Sequence, residues 1–235
     1  MRPAAWVFVE DLDGLGLAPA DAHHLGRVLR LRPGELVGAS DGQGRWRTCV
    51  VAARGDDVRL AATGPVTVDD APEPAVTVGF SLVKGDRPEL VVQKLTELGV
   101  DRILPLAAAR SVVRWDDERT RRGLARLRLV AREAAMQCRR SRLPEVAPLA
   151  TVATAAHDLG AQGALCDQDG AQPLTLRRPA LLVGPEGGWD DAEAACGLPT
   201  VTLGPTTLRA ETAAIAAGVL LCGLRAVTVR EAGER

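Results

Sequence analysis

Apolar positions recur along this chain in two different rhythms. Up to about residue 68 they form short runs, Trp6–Glu10, Glu35–Ser40, Trp46–Ala52 and Val58–Ala62, each bounded by turn residues. Runs of this length predict strands. Asp41-Gly42-Gln43-Gly44, between the second and third, predicts a hairpin. One helical segment, Ala20 to Leu31, interrupts the strands and stops at Arg32-Pro33-Gly34. A small β barrel with one helix over residues 1–68 is the expectation.

Residues 69–75 include the acidic, Pro-rich Asp69-Asp70-Ala71-Pro72-Glu73-Pro74, which reads as a linker. From 76 to 235 strands alternate with helices. Val76–Val83 alternates as a strand, and Asp86 is placed to cap a helix with Pro88 in its first turn and Glu89 three residues on. That helix should close at Gly99. Ile103–Leu106 predicts another strand. Asp117 to Arg139 predicts a long helix, with Leu124, Leu127, Ala131, Ala134 and Cys138 on one face. Strands follow at Ala164–Cys166, Ala180–Val183 and Val201–Leu203. The last helix, Glu211 to Leu224, is Ala-rich and apolar nearly all round, which predicts deep burial or a subunit contact. Alternation of this kind predicts an α/β domain with a parallel sheet.

Composition narrows the picture. An apolar fraction of 46% supports a real core, and a net charge of −1 means that a polyanion would have to meet a local basic patch. No apolar run approaches the roughly 18 residues of a membrane span. The N-terminus lacks a signal-peptide layout, since Arg2-Pro3 leads straight into a strand. The five cysteines are far apart and form no C-x-x-C pair, so neither a metal site nor a disulfide framework is expected. A reducing, cytoplasmic location follows. Arginine greatly outnumbers lysine, which cautions against reading every Arg as functional and draws notice to Lys84 and Lys94, the only lysines.

The candidate chemistry lies near the C-terminus. Leu181-Leu182-Val183 and Val201-Thr202-Leu203 both stop at Gly-Pro, at Gly184-Pro185-Glu186-Gly187-Gly188 and Gly204-Pro205-Thr206-Thr207-Leu208. Two strands ending alike suggest two loops at one edge of a parallel sheet, where ligands of open α/β sheets bind. Neither loop is a Walker motif or a G-x-G-x-x-G fingerprint, which disfavours a Rossmann-type nucleotide enzyme. A plain strand-to-helix turn explains one such loop but explains two poorly.

Three further clusters each have an ordinary explanation beside the functional one. Arg209 and Glu211 stand where the second loop enters the last helix; the helix dipole accounts for Glu211, whereas Arg209 offers a planar fork to a phosphate or carboxylate. Arg27 and Arg30, three apart on a helix with His24 nearby, form a phosphate-binding stripe or a solvated face. Arg139-Arg140-Ser141-Arg142 complements a helix C-terminus or supplies a functional Arg.

Taken together, these pieces resemble the 16S rRNA uridine-N3 methyltransferases of the SPOUT superfamily. The resemblance is carried by His24 to Arg30 with Pro33-Gly34, Lys84-Gly85-Asp86, Gln93 to Val100, Gln137-Cys138 with Arg140 and Pro144-Glu145, the Gly184–Gly188 loop, and Leu203 to Ala213. They occur in the family's order over nearly the whole chain. Three positions depart from the family's habit: Met136 where Glu is common, Arg139 where Gly is common, and Thr206 where Arg is frequent.

The resemblance implies a PUA-like β barrel that helps bind RNA, then a SPOUT-type trefoil-knotted parallel sheet with helices on both faces. It implies a homodimer that binds S-adenosyl-L-methionine in its knot loops and methylates a uridine in the decoding region of 16S rRNA within the small ribosomal subunit. Val183, Gly184, Pro185, Glu186, Gly187, Gly188, Leu203, Gly204, Leu208 and Thr212 become the expected cofactor contacts. Arg209, Glu211 and Arg140 become the expected catalytic residues. Arg2, His24, Arg27, Arg30, Lys84 and Lys94 become the expected RNA contacts. The competing readings are another SPOUT RNA methyltransferase, such as a ribose 2′-O enzyme, and a non-catalytic RNA-binding assembly factor.

Overall fold

The computed structural model describes residues 3–53 and 58–227, so the expected RNA contact Arg2 lies outside the described residues. Two units emerge, Met1–Ala71 with Arg132–Leu143 and Pro72–Ala131 with Pro144–Arg235.

In the first unit, β1 (Ala5–Phe8), β2 (Leu36–Ser40), β3 (Arg45–Ala53) and β4 (Arg59–Ala62) form a sheet in that order, with β5 (Thr67–Val68) also on β3. The β1–β2 pair is parallel and the others antiparallel. Val7, Leu25, Val37, Ala39, Cys49 and Val51 are buried in its core. The expected helix over 20–31 is instead a short α1 (Pro19–His23) that widens into a π turn over His24–Val28. Arg30 follows in the left-handed region at φ 53°. Arg27 and Arg30 therefore do not share a helix face, because the 3.6-residue repeat is lost before Arg30 is reached.

Residues 132–143 belong to this unit through specific polar contacts. Asp21, 4% exposed, accepts from Arg132 Nη1 at 2.9 Å, and Arg132 Nη2 donates to the Phe8 carbonyl at 3.2 Å. Ser141 Oγ donates to Asp69, and Arg142 Nη2 to the Asp69 carbonyl. A buried carboxylate is tolerated only when paired in this way.

The second unit is built on an all-parallel sheet. Its elements are β6 (Thr77–Ser81), α2 (Arg87–Leu98), β7 (Arg102–Ala107), α3 (Asp117–Cys138), β8 (Glu145–Val146), β9 (Ala150–Thr151), α4 (Val152–Leu159), β10 (Gly163–Cys166), β11 (Ala180–Val183), α5 (Asp191–Ala194), β12 (Thr200–Val201) and α6 (Ala210–Arg225). The strand order is β12-β10-β11-β6-β7-β8, with β9 also on β7. Both faces are covered, as a parallel sheet requires. Val78, Phe80, Ile103, Leu181 and Val183 pack with Leu95, Leu127 and Leu221 on one face. Leu104, Leu106, Leu165 and Leu182 pack with Val152, Ala155 and Trp189 on the other. The expected α/β parallel sheet with helices on both faces is the fold found.

Helix ends show where local chemistry prevails and where it does not. Asp86 stands at the start of α2, but at φ −89°, ψ 7° its side chain makes no cap, since capping needs an extended residue there. At the other end Gly99 takes φ 96°, with Val100 N–H donating to Leu95 C=O at 3.0 Å. Helix α3 closes in the same way one residue earlier than expected: Arg140 N–H donates to Ala135 C=O at 3.0 Å, and the left-handed position at φ 62° is filled by Arg139. Glycine fits that position without strain.

Candidate functional site

Three loops leave the carboxyl ends of neighbouring strands β12, β10 and β11 and enclose a cleft of about 240 Å³. Because β10 lies between the two strands that end in Gly-Pro, its own loop, Cys166-Asp167-Gln168, forms the third wall. Val183, Gly184, Pro185, Glu186, Gly188, Leu203, Gly204 and Leu208 line the cleft, together with Ala210 and Ala213 of α6. Gly187 and Thr212 are not among the lining residues.

The walls are tied to one another. Trp189 Nε1 donates to the Cys166 carbonyl at 3.0 Å. The same indole lies on Gly184, where an added Cβ would come within 3.0 Å of the ring. Thr207 Oγ1 donates to Gln168 Oε1, joining the β12 and β10 loops. The β11 loop is held from below: Asp190 and Glu193 form a reciprocal capping box on α5, and Glu193 Oε1 also accepts from Ala109 N–H at 2.7 Å. Arg110 Nη1 donates to the Gly187 carbonyl at 3.2 Å. Gly204 takes φ +155° with nothing within 4 Å of an added Cβ, so bare backbone faces the cleft there.

The electrostatics of the lining discriminate between ligands. It carries two carboxylates, Asp167 and Glu186, and no Lys or Arg. A cleft of this kind suits a small molecule bearing positive charge and does not suit a phosphate-rich dinucleotide, which needs cations or a glycine-rich phosphate nest. Cys166 is no nucleophile here. Burial pushes its thiol up to about 12, and the neighbouring Asp167 charge acts in the same direction.

The expected catalytic residues are distributed over both units. Arg209 is the residue before α6, between the lining residues Leu208 and Ala210. It is exposed, and among the described residues its side chain makes no ion pair or hydrogen bond. Glu211, in the first turn of α6, has a side chain only 13% exposed, and it reaches Arg87 Nη1 at 3.3 Å rather than Arg209. Its Oε2 is buried without a hydrogen-bond partner. Arg140 lies in the first unit.

Of the expected RNA contacts, His24, Arg27 and Arg30 are exposed in the first unit, and Lys84 is exposed in the second. Lys94 is committed to Glu97, with Nζ–Oε2 at 2.8 Å. Sequence reasoning missed the Asp167-Gln168 wall and Trp189. The first had a signal, a strand ending in a polar turn, but nothing in one dimension places β10 between β11 and β12. Among the described residues no group of His, Cys, Asp and Glu is arranged to hold a metal ion, and no helix is long and apolar enough to cross a membrane.

Comparison with known proteins converges on one family. Residues 71–221 match the family model of an RNA methyltransferase domain, and residues 17–57 match that of an RNA methyltransferase PUA domain. The ribosomal RNA small subunit methyltransferase E of Mycobacterium bovis is 36% identical over 223 residues, covering 84% of this chain and 81% of that protein. The crystal structure of a ribosomal RNA small subunit methyltransferase E from Neisseria gonorrhoeae, bound to S-adenosyl methionine, superposes with a TM-score of 0.81 at 30% identity, covering 94% of this chain and 97% of that one. A Legionella pneumophila structure in complex with the same cofactor gives 0.79 at 28% identity, with 94% and 97% covered. With that match spanning its parallel sheet and three-loop cleft, the chain belongs to the RNA methyltransferase family, behind an N-terminal PUA-type domain.

Proposed function

We propose that this protein methylates N3 of a uridine in the decoding region of 16S rRNA, using S-adenosyl-L-methionine and acting on the small ribosomal subunit. The observation that carries the reading is the cleft at the ends of β12, β10 and β11, lined by carboxylates and bare glycine backbone, in a chain of this family. The cofactor carries a sulfonium and an ammonium group. Asp167 and Glu186 provide the opposite charge, Val183, Leu203, Leu208 and Ala213 provide apolar surface for a purine, and Gly204 leaves backbone uncovered beside them. The residues present therefore fit the group, which supplies an activated methyl when bound.

Uracil N3 holds its proton at neutral pH, so the protein must favour the anion that forms as that proton passes to solvent water and leaves the N3 electron pair free to take the methyl. Arg209 is the residue for that task. Its guanidinium is exposed and uncommitted, and its backbone stands between the lining residues Leu208 and Ala210, from where the side chain is proposed to donate to a uracil carbonyl oxygen as negative charge develops. Glu211 serves a different purpose from a general base: with Arg87 on Oε1 it braces the first turn of α6 beneath Arg209. Arg140 lies in the first unit and takes part in holding the RNA. His24, Arg27 and Arg30 contribute sequence-independent phosphate contacts from the PUA-type unit. The target base is turned out of its stack to reach the cleft.

The division of labour we assign is 1–68 for the PUA-like module, 69–75 for the linker and 76–235, less the residues 132–143 that pack into the first unit, for a trefoil-knotted catalytic module. The close pass of Gly170 over the end of β12 supports such threading. A homodimer in the cytoplasm completes the reading. The dimer is supported by the apolar character of α6 over most of its circumference, with Val219 44% exposed.

The experiment is nucleoside mass spectrometry after incubation with S-adenosyl-L-methionine and either unmethylated small subunits or naked 16S rRNA. A new 3-methyluridine from subunits is expected. A folded, cofactor-binding protein that leaves both substrates unmethylated overturns the assignment, and a 2′-O-methyl product would transfer it to the ribose enzymes.

A further inference from the structure

A second cleft, of about 320 Å³, opens beside the first at the same edge of the sheet. Strand β6 is hydrogen-bonded to β11, with Phe80 opposite Val183, so the residues after β6 emerge next to the loop after β11. Lys84 stands in that position and lines the second cleft with Trp115, Arg119 and Arg122. The loop after β7 joins the two clefts: Ser111 Oγ donates to the Leu82 carbonyl at 2.9 Å, and Arg110 donates to the Gly187 carbonyl at 3.2 Å. The Arg87–Glu211 pair makes a second link, from the first turn of α2 to the first turn of α6.

Charge reverses between the neighbours. The cofactor cleft is lined by carboxylates without a Lys or Arg, whereas the second cleft has three cations against one carboxylate, Glu89. Lys84 and Arg119 are exposed and have no ion-pair partner among the described residues. Arg122 meets Glu118 at 3.6 Å, but both side chains are largely exposed, 74% and 66%, so the pair is weak competition for a phosphate. Trp115 supplies the remaining element. It is half-buried, its ring lies on α3 at Gly123, and an added Cβ there would come within 2.5 Å of it. That contact holds the indole in place beside the cations.

We propose that this cleft is a subsite for a single-stranded nucleotide flanking the methylated one: Lys84, Arg119 and Arg122 hold its phosphates and Trp115 receives its base. This rests on the RNA methyltransferase reading, and names where the substrate strand runs once the target base has entered the first cleft. Aromatic stacking next to cations is the general means of holding single strands without reading sequence. It also fits the geometry of a substrate whose target is flipped, since the neighbouring nucleotides are then unstacked and need support.

The test uses the full-length protein and two readouts, binding of a labelled oligouridylate over a salt series and methylation of unmethylated small subunits. The triple variant Lys84→Ala, Arg119→Ala, Arg122→Ala should lower oligouridylate affinity at least about tenfold and make the log–log salt slope shallower by about 2, near 0.7 per lost phosphate contact. Trp115→Leu should weaken binding about 5- to 100-fold with an unchanged salt slope, and Trp115→Phe should restore most of it. Cofactor affinity, measured by calorimetry, should stay within about twofold in all three, which also reports that the second unit is folded. On subunits the KM should rise while kcat changes little. Wild-type protein that fails to bind oligouridylate, or variants that bind it as wild type does, overturns the subsite. Loss in Trp115→Phe equal to that in Trp115→Leu would make Trp115 structural and overturn the stacking role. Wild-type protein that binds oligouridylate through these residues but methylates no subunit would leave the subsite standing and remove the proposed reaction.

Discussion

Gly170 offers the sharpest test of how the cofactor cleft is held. It sits in the segment that leaves β10 and crosses the end of β12. A Cβ there would lie 2.2 Å from the Val201 carbonyl carbon, 2.4 Å from Thr202 N and 2.6 Å from Val201 O. All three are backbone atoms, so no rotamer change relieves the clash. Carbon atoms need about 3.5 Å, and the two segments must part by about 1 Å or more. Parting strains Asp167 N–H to Val201 C=O, 2.9 Å, and Gln172 N–H to Thr200 C=O, 3.0 Å. Overpacking costs about 1–3 kcal/mol and each weakened hydrogen bond about 1 kcal/mol, so Gly170→Ala should cost about 3 kcal/mol. In a chain of this length that lowers the thermal midpoint by about 6–12 °C. Because Asp167 and Gln168 form one wall of the cleft, cofactor affinity measured by calorimetry should fall as well. Gly64→Ala is the control, since nothing lies within 4 Å of its added Cβ, and should change the midpoint by no more than about 2 °C. If Gly170→Ala melts like the control and binds cofactor like wild type, the crossing is loose and lends no support to threading.

Arg139→Gly should raise stability by about 1 kcal/mol, because the left-handed closure of α3 at φ 62° strains any L side chain and the buried Arg139 Nη1 has no hydrogen-bond partner; a lower urea midpoint would show that Arg139 is held by something stronger than the strain. Arg209→Ala should cut kcat about 100-fold or more while cofactor affinity changes little, as expected for a donor that acts on developing charge; equal losses in both would move Arg209 from the chemistry to cofactor binding. Cys166 should resist alkylation at pH 8 long after Cys196 has reacted. Its folded pKa is raised from 9.0 to about 12, so the folded state keeps a proton that the unfolded chain gives up. The stability this thiol contributes is therefore complete below pH 9.0 and is lost as pH rises towards 12, so the alkaline loss of stability should be smaller in Cys166→Ala; identical alkaline unfolding of the two proteins would refute it.

Much of the second unit was legible in one dimension. Ala180–Val183 is apolar at every position because a central parallel strand is buried on both faces, and the strand found has the same bounds. Gly-Pro after two such runs marks the loops that line the cleft, since Gly and Pro end strands for local steric reasons. Local rules failed where neighbours far away in sequence set the conformation. Asp86 has the right chemistry for a cap and the wrong backbone angles for one. Residues 24–28 have helical composition and a π turn. Glu211 stands two residues from Arg209 in the chain, whereas its partner is Arg87, brought to it by the packing of α2 on α6.

Periodicity, breakers and composition thus determined most of the longer strands and helices and two of the three cleft loops. These are consequences of covalent geometry and of which side chains water excludes, and both act over a few residues at a time. Strand order could only come from the folded chain. Placing β10 between β11 and β12 brings Asp167 and Gln168 to the cleft, and placing β6 beside β11 sets Lys84 at the same edge. The return of residues 132–143 to the first unit depends on one buried carboxylate, Asp21, finding Arg132 more than a hundred residues away. Such pairings are chosen by burial and desolvation in three dimensions, and the spacing of residues along a chain carries no record of them.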